Sequence, residues 1–489
     1  MGHRRVLLAA LVLYATAFVV WWPNDVVVVD EARYVGQASL FAHGHVRARQ
    51  WSDSLHAVVE QPASDYPPGT SLVQTPFVAV GGPQAAQLAS LLSLVVMVLC
   101  LAALLREVGR PELFALVPLL YPPTLVLGRV GMSDVPSGAI VAIGWLMFWR
   151  GLRGARRDVW WTAAGFLAGA SLLWRESNPL AFAPLFLGVV VRRDRGAAAL
   201  FAGGAAGVAV RLAASAWIFG DPFYHRGFLF APPHVVSTLA LYAFALTVMI
   251  PAGLFGLLGY RGARRPEVIA TGLLFLFFYS AYYYDGGAGS LALRVILGPR
   301  FFIPVVPVFA FAMAETFPRW YALAPSWLRH PTVRRVAAAA LACLLVVALV
   351  APHVVLHRKA REDARMRDAL LRITGEGALI VFNPESGGTL AWAAPGRRIF
   401  VGRDHATSDD IRSWSRRGDG IALAMVDRRD AAWRAREADV NARYEAQIVR
   451  ACQTQVLFDT TLSAVERFRL LRVRRCESGS ALAALDSIR

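Results

Sequence analysis

The sequence predicts an α-helical polytopic membrane protein that ends in a small α/β domain, and three observations predict it. Hydrophobic residues make up 56% of the 489-residue chain and charged residues 17%, below the roughly 25% of an ordinary soluble domain. The charge is unevenly placed: about 12% of residues 1–356 are charged, against about 32% of residues 357–489. Apolar runs near the ~20 residues needed to cross a bilayer recur throughout the first part and stop before the second. These features exclude a soluble enzyme for residues 1–356, and with it disorder, collagen and a coiled coil.

The first run, Val6–Trp22, follows the basic residues Arg4 and Arg5 and ends in Trp21-Trp22-Pro23. A cleaved signal would end in small residues, so an uncleaved first span with an aromatic belt is expected. Ten further runs lie at about 86–105, 112–128, 135–149, 159–174, 179–191, 197–219, 235–258, 267–284, 300–317 and 336–355, giving about 11 spans. The first and largest non-cytoplasmic loop is then about residues 23–85. Alternate loops hold 18 arginines, from Arg4 to Arg335, against eight in the others: Arg33, Arg47, Arg49, Arg129, Arg175, Arg226, Arg294 and Arg300. The positive-inside rule puts the richer set in the cytoplasm, and an odd span count then exports residues 357–489. The net charge of +17 is thereby a signature of orientation and not of nucleic-acid binding. Lys359 is the only lysine, an arginine-rich usage that points to a bacterium with a GC-rich genome, and the expected location is the bacterial inner membrane.

Residues 357–489 alternate apolar, strand-like runs (Gly377–Asn383, Arg397–Gly402, Gly420–Asp427) with polar helical ones (Ser408–Arg417, Arg428–Arg450). Gln455–Asp459 and Arg467–Val473 are expected to pair as antiparallel strands. Cys452 and Cys476 would then flank one end, either as a disulfide or as two free thiols. No CxxC and no metal-ligand spacing occurs among the four cysteines.

The polar residues with chemical potential gather on the outer side. Asp30-Glu31-Ala32-Arg33-Tyr34 follows the first span, and Tyr34, Ala38, Phe41 and Ala42 recur at helical spacing, which predicts an amphipathic helix lying on the membrane surface. Two carboxylates at such a helix start are far more commonly caps than catalytic bases, and taken alone this pair reads as a cap. Ser133-Asp134-Val135-Pro136 opens a later span and is also an ordinary helix-start signal. Arg175 and Arg300 are outer arginines of a kind that commonly snorkels to head groups. Arg211 lies about eight residues inside its span, where an ionisable side chain is a functional candidate by default. Tyr66-Pro67-Pro68 forms a rigid turn, and Phe219-Gly220-Asp221-Pro222 precedes His225 in an outer loop.

Together these motifs resemble the GT-C superfamily of polytopic glycosyltransferases. Within it they are similar to the group of protein O-mannosyltransferases, aminoarabinose transferases and RgtA/B/C/D-like enzymes. The resemblance rests on DE-x-x-Y at Asp30, Glu31 and Tyr34, the Pro-Pro turn, the second acidic motif at Asp134, Arg175, the FG-x-P loop and Arg300-Phe301-Phe302-Ile303-Pro304. It covers about residues 6–320. The chain departs from the aminoarabinose transferases in carrying Tyr66 where they have a lysine before the Pro-Pro pair.

The resemblance implies a polyprenyl-phosphate sugar donor and an envelope lipid, glycan or protein acceptor. It implies Asp30, Glu31 and Asp134 as catalytic groups and Tyr34, Arg175 and Arg300 as substrate-binding ones; Arg211, from its depth in the span, and Tyr66 and His225, from their outer loops, are further substrate-binding candidates, the departure at Tyr66 weakening any phosphate role there. The residues fit such chemistry. The chain has no D-x-D motif for a nucleotide-sugar metal, and a phosphate leaving group is already anionic, so one carboxylate base suffices. No cofactor is required on this reading; a divalent ion between Asp30, Glu31 and Asp134 is conceivable but has no histidine beside it. The competing classes are a secondary transporter or lipid flippase, an envelope ligase or polymerase, and a scaffold. Transporters place polar groups at the bilayer midplane on inverted repeats, and none is visible here.

Overall fold

The computed structural model describes residues 2–52, 57–154, 156–225, 227, 230, 232–250, 252–282, 298–382, 398–403, 406, 410–411, 414, 420–428, 432–463 and 466–476. The helices are α1 (Gly2–Val20), α2 (Val29–Ala42), α3 (Gly69–Gly81), α4 (Leu88–Glu107), α5 (Val117–Leu120), α6 (Pro122–Leu127), α7 (Asp134–Arg153), α8 (Arg157–Ala170), α9 (Ala183–Val191), α10 (Ala197–Phe219), α11 (Val235–Val248), α12 (Gly253–Leu258), α13 (Arg265–Ser280), α14 (Val306–Leu323), α15 (Pro331–Ile373) and α16 (Ala432–Ala451). The strands are β1 (Arg47–Ser52), β2 (Ala57–Pro62), β3 (Leu379–Phe382), β4 (Ile399–Gly402), β5 (Ile421–Arg428), β6 (Cys452–Ser463) and β7 (Glu466–Cys476). They fall into two compact units. One comprises residues 1–23, 66–77 and 85–357; the other comprises 24–65, 78–84 and 358–489.

Each of the eleven apolar runs is helical where it is described, but only six stretches among the described residues have the length and apolarity to cross a membrane as one piece. They are His3–Val20, Pro83–Glu107, Asp134–Arg153, Ala197–Phe219, Gly298–Leu323 and Pro331–Ile373. Proline breaks two of the others. Pro118 and the Pro122-Pro123 pair divide 112–128 into short pieces, and Pro179 and Pro184 leave α9 nine residues long. Gly298–Leu323 is 89% buried over its apolar window and forms the centre of the first unit, whereas α10 and α15 present most of their apolar surface outward. Trp145, Trp149 and Tyr260 surround Phe311 of the central helix, and Phe148 stacks on Trp161 at 5.6 Å.

The tightest helix contact is between α8 and α10. Gly165 and Gly169 on α8 meet Gly203 and Gly207 on α10, two small-xxx-small faces against each other. A methyl group on any of the four would overlap a carbonyl oxygen of the facing helix: Leu200, Gly204, Thr162 and Phe166 respectively. Lipid offers no hydrophobic force to drive helices together, so this close backbone approach is what holds α10 in place. Gly207→Leu should therefore force the helices apart at a cost of about 3 kcal/mol, the upper end for overpacking, because a backbone carbonyl cannot swing aside. A lowered unfolding temperature and reduced folded yield of the purified protein would show it; an unchanged melting curve would contradict it. At the arginine-rich helix ends, acidic partners neutralise several cations: Glu107 with Arg150, Glu267 with Arg192, and Glu315 with Arg110.

The second unit carries a five-stranded sheet in the order β4-β3-β5-β7-β6. Its first three strands are parallel and the last two pairings antiparallel, so Gln455–Asp459 and Arg467–Val473 are paired as expected. Cys452 and Cys476 lie opposite each other and form a disulfide. The helix expected over Ser408–Arg417 falls mostly outside the described residues, as do Arg226 and Arg294. Strand residues alternate between two cores, the period-two signature of a sheet covered on both faces. Leu379, Val381, Ile421, Leu423 and Met425 face one core with Ile448 and Trp51. Ile380, Ala422, Ala424 and Val426 face the other, with Met366, Ala369 and Leu370 of α15.

Between β5, β7 and α16 sits a buried ionic network. Arg469 binds Asp427 at 2.7 Å and Glu445 at 2.5 Å, and Asn441 joins Asp427 at 2.9 Å and Arg403. Burial pushes the Glu445 carboxyl up to about 7; Arg469 and Arg467 oppose the shift, and Asp427 and Asp459 add to it. A carboxyl whose pKa is raised on folding contributes stability at low pH that is lost as pH climbs from its ordinary range through about 7. Glu445→Gln should remove that component, so the difference in stability between wild type and variant should change between pH 4.5 and 7 and be flat above pH 8, measured by thermal unfolding of the full chain.

Candidate active site

In the first unit, four elements deliver polar side chains to one place. Ser133 and Asp134 stand at the start of α7, with Asp134 fully buried. The short helical turns between α8 and α9 carry Arg175, Ser177 and Asn178, Tyr279 ends α13, and Arg300 and Phe301 lie in the 3-10 segment Gly298–Val305. Arg175 donates through Nη2 to Asp134 Oδ1 at 2.7 Å and through Nε to Ser133 Oγ at 3.1 Å. The carboxylate thus fixes one face of the guanidinium. Asp134 Oδ2 is buried without a hydrogen-bond partner among the described residues, as is Asn178 Oδ1. Asn178 itself is locked by donating to Ser137 Oγ at 3.0 Å and to the Ser171 carbonyl at 3.1 Å. Two buried acceptors therefore await donors.

The second cation is Arg300. Its guanidinium carbon lies 5.3 Å from the centre of the Phe301 ring, and that of Arg175 lies 5.4 Å from the same ring. The Phe301 ring thus lies within cation–π range of both arginines. Tyr279 stacks on Phe301 at 4.8 Å, and its hydroxyl meets Ser177 Oγ at 2.5 Å. The segment is anchored by Tyr121, which donates to the Pro299 carbonyl at 2.5 Å, and Arg300 Nη1 reaches Met132 Sδ at 3.8 Å. The arrangement suits an anionic group with hydroxyls beside it: two guanidiniums for the anion, two unsatisfied acceptors for hydroxyl donors.

Arg211 lies on α10, one turn after Gly207, and donates through Nη2 to the Tyr224 carbonyl at 2.8 Å. Its Nη1 is buried with no hydrogen-bond partner among the described residues, as is Ser215 Oγ one turn further on. Glu176, the neighbour of Arg175, is close enough to act on it electrostatically. Tyr66 is half-buried. His225 is exposed and, among the described residues, bonds within its own turn, to the Phe223 carbonyl at 3.2 Å. Asp221 caps its own turn through Phe223 N at 2.8 Å.

Asp30, Glu31 and Tyr34 belong to the second unit, in the first turns of α2. Glu31 and Tyr34 are buried, whereas Asp30 is half-exposed. Glu31 Oε2 accepts from Val27 N at 2.8 Å, so it holds the backbone that leads into the helix. The surface-lying helix expected from the sequence is instead buried almost all round, from Glu31 to Leu40, with Arg33 alone exposed in that stretch. Its small residues Gly36, Ala38 and Ser39 permit that close packing. Just before α2, burial pushes the Asp25 carboxyl up to about 8, with Arg367 pulling the other way and Asp363 and Glu31 reinforcing the rise. No cluster of three or more His, Cys, Asp or Glu able to hold a metal occurs among the described residues.

Against solved structures, the chain is similar to ArnT from Cupriavidus metallidurans bound to undecaprenyl phosphate, with a TM-score of 0.63, covering 94% of this chain and 97% of that one at 15% identity. The chain has the fold of ArnT. The apo state of the same ArnT aligns equally, with a TM-score of 0.63 and 16% identity over 94% and 97% of the two chains. Arabinofuranosyltransferase AftD from Mycobacteria aligns at a TM-score of 0.47 and 15% identity over 97% of this chain and 40% of that one, too low a similarity to carry an argument. No family model and no curated protein sequence matches the chain. At such identities the likeness is one of fold.

The residues missed by motif reading were Ser133, Asn178, Tyr279 and Phe301 as partners in one cluster. Ser133 and Asn178 sit inside the motifs around Asp134 and Arg175. Tyr279, between Phe278 and Ser280 in the apolar run 267–284, carries no motif that marks it.

Proposed function

We propose that the chain is a membrane glycosyltransferase that moves a sugar from a polyprenyl-phosphate-linked donor to a hydroxyl of an envelope lipid, glycan or protein acceptor, on the outer side of a bacterial inner membrane. The observation that carries this reading is the pair of arginines over Phe301 beside a buried carboxylate, in a chain with the fold of ArnT. Arg175 and Arg300 hold the donor phosphate, where negative charge grows as the glycosidic bond breaks, and Arg211 contributes from α10. Asp134 positions Arg175 through one oxygen and takes a sugar hydroxyl on the other; Asn178 Oδ1 takes a second. Asp30 removes the proton from the acceptor hydroxyl, which attacks the anomeric carbon with inversion. The phosphate departs without protonation, so this scheme calls for no metal and no general acid.

The disulfide between Cys452 and Cys476 supports the outward placement of the second unit, since such bonds persist in oxidising compartments. The donor class is tested by native mass spectrometry of the purified protein in nanodiscs. Undecaprenyl phosphate should remain bound at activation energies that strip phosphatidylglycerol, and Arg300→Ala should weaken its retention about tenfold, the loss of one charge-assisted contact. Equal retention of the two lipids would contradict the phosphate role.

A further inference from the structure

The residues from Arg358 onward match no motif of the catalytic reading, yet they grip both ends of the segment that carries Asp30. Upstream of α2, Arg367 on the last turns of α15 donates through Nη1 to the Asn24 carbonyl at 3.0 Å and lies 3.2 Å from Asp25 Oδ2. Asp25 and Arg367 are only 2% and 8% exposed, so water does not compete for these contacts. Arg367 is itself fixed: Asp368 binds it through Nε and Nη2 at 2.9 and 2.8 Å, and the adjoining Met366 and Leu370 are embedded under the sheet. Downstream of α2, the β1–β2 hairpin inserts Trp51 into the other core of the sheet. There its ring meets Trp414 edge-on at 5.0 Å, with Val58 packed beside it.

A helix of fourteen residues tethered at both ends to a sheet has little freedom to rotate or slide. Rotation matters because side chains three residues apart on a helix, such as Asp30 and Arg33, point only about 60° apart, so a turn of that size would swing Asp30 away and bring Arg33 into its direction.

We propose that residues 358–476 are the scaffold that sets the orientation of α2, and that Arg367 is a positioning residue for Asp30. The inference rests on the reading of Asp30 as the base. It assigns a role to the C-terminal sheet that needs no ligand of its own: the sheet registers the first outer segment.

The test is hydrogen–deuterium exchange of the full-length protein, read on peptides spanning residues 24–42, together with sugar transfer in a complemented deletion strain. Arg367→Met keeps the stem that packs but removes the donors. It should speed exchange across 24–42 about tenfold or more while leaving α7 unchanged, and should lower transfer. Arg367→Lys, which keeps a donor, should restore part of both. If Arg367→Met fails to fold, Trp51→Leu examines the other tether and should loosen residues 43–62 and α2. Unchanged exchange over α2 in the folded variants, or lost transfer with unchanged exchange, would overturn the proposal. If the wild type itself transfers no sugar, the functional reading falls, while the exchange data still decide whether the tether exists.

Discussion

Asp30→Asn is expected to abolish transfer while leaving the fold intact. Loss of a positioned general base costs about 10²–10⁴-fold in rate. Asn keeps the shape, and the half-exposed position in the first turn of α2 tolerates it sterically. The neighbouring carboxylate should behave in the opposite way. Glu31 is buried and accepts from Val27 N, so Glu31→Gln replaces a charge-assisted hydrogen bond with a neutral one and shows first as lower stability. Measuring envelope sugar by mass spectrometry and melting temperature on the same pair of variants separates the two roles. Equal loss of stability in both would return Asp30 to the status of a helix cap.

The second large effect concerns Asp134 and Arg175. Their contact at 2.7 Å joins a fully buried carboxylate to a guanidinium that is 13% exposed. Arg175→Ala leaves the Asp134 charge buried and uncompensated, a change that typically costs about 3–5 kcal/mol. Replacing both, as Asp134→Leu with Arg175→Met, removes the stranded charge and should recover most of that stability. It should not recover transfer, because the pair's role is to present a phosphate donor and a hydroxyl acceptor. A double variant that regained both would reduce the pair to a structural ion bridge.

Much of the architecture is legible in the sequence because each cue has a local physical cause. Apolar runs mark the helices, the arginine asymmetry marks their ends, and short apolar runs between polar helical ones after residue 377 mark the sheet. The antiparallel pairing that opposes Cys452 and Cys476 follows from two late apolar strands flanked by cysteines. Run length alone does not fix the spans at 112–128 and at 179–191, already short for a span, because prolines divide these runs and length in residues no longer equals length in helix.

The candidate site was legible residue by residue but not as an arrangement. Asp134 stands in the Ser133-Asp134-Val135-Pro136 helix start and Arg175 among the outer arginines, yet nothing local says that they touch across forty-one residues, or that Phe301 draws Arg300 and Arg175 to one ring. His225 shows the converse: a plausible loop histidine that the fold leaves exposed and bonded to its own turn. The burial of α2 was hidden because a run of small residues looks weakly amphipathic whether it lies on a membrane or inside a protein. The role of Arg367 was hidden for another reason, since its partners lie 343 residues away along the chain.

The most direct measurement is mass spectrometry of envelope glycolipids, glycans and glycoproteins in a strain lacking this protein, complemented with the wild type or with Asp30→Asn. A sugar that disappears on deletion, returns with the wild type and stays absent with Asp30→Asn is the predicted result, and it names donor sugar and acceptor together. Full restoration by Asp30→Asn, or an envelope unchanged by deletion, would contradict a glycosyltransferase with Asp30 as its base.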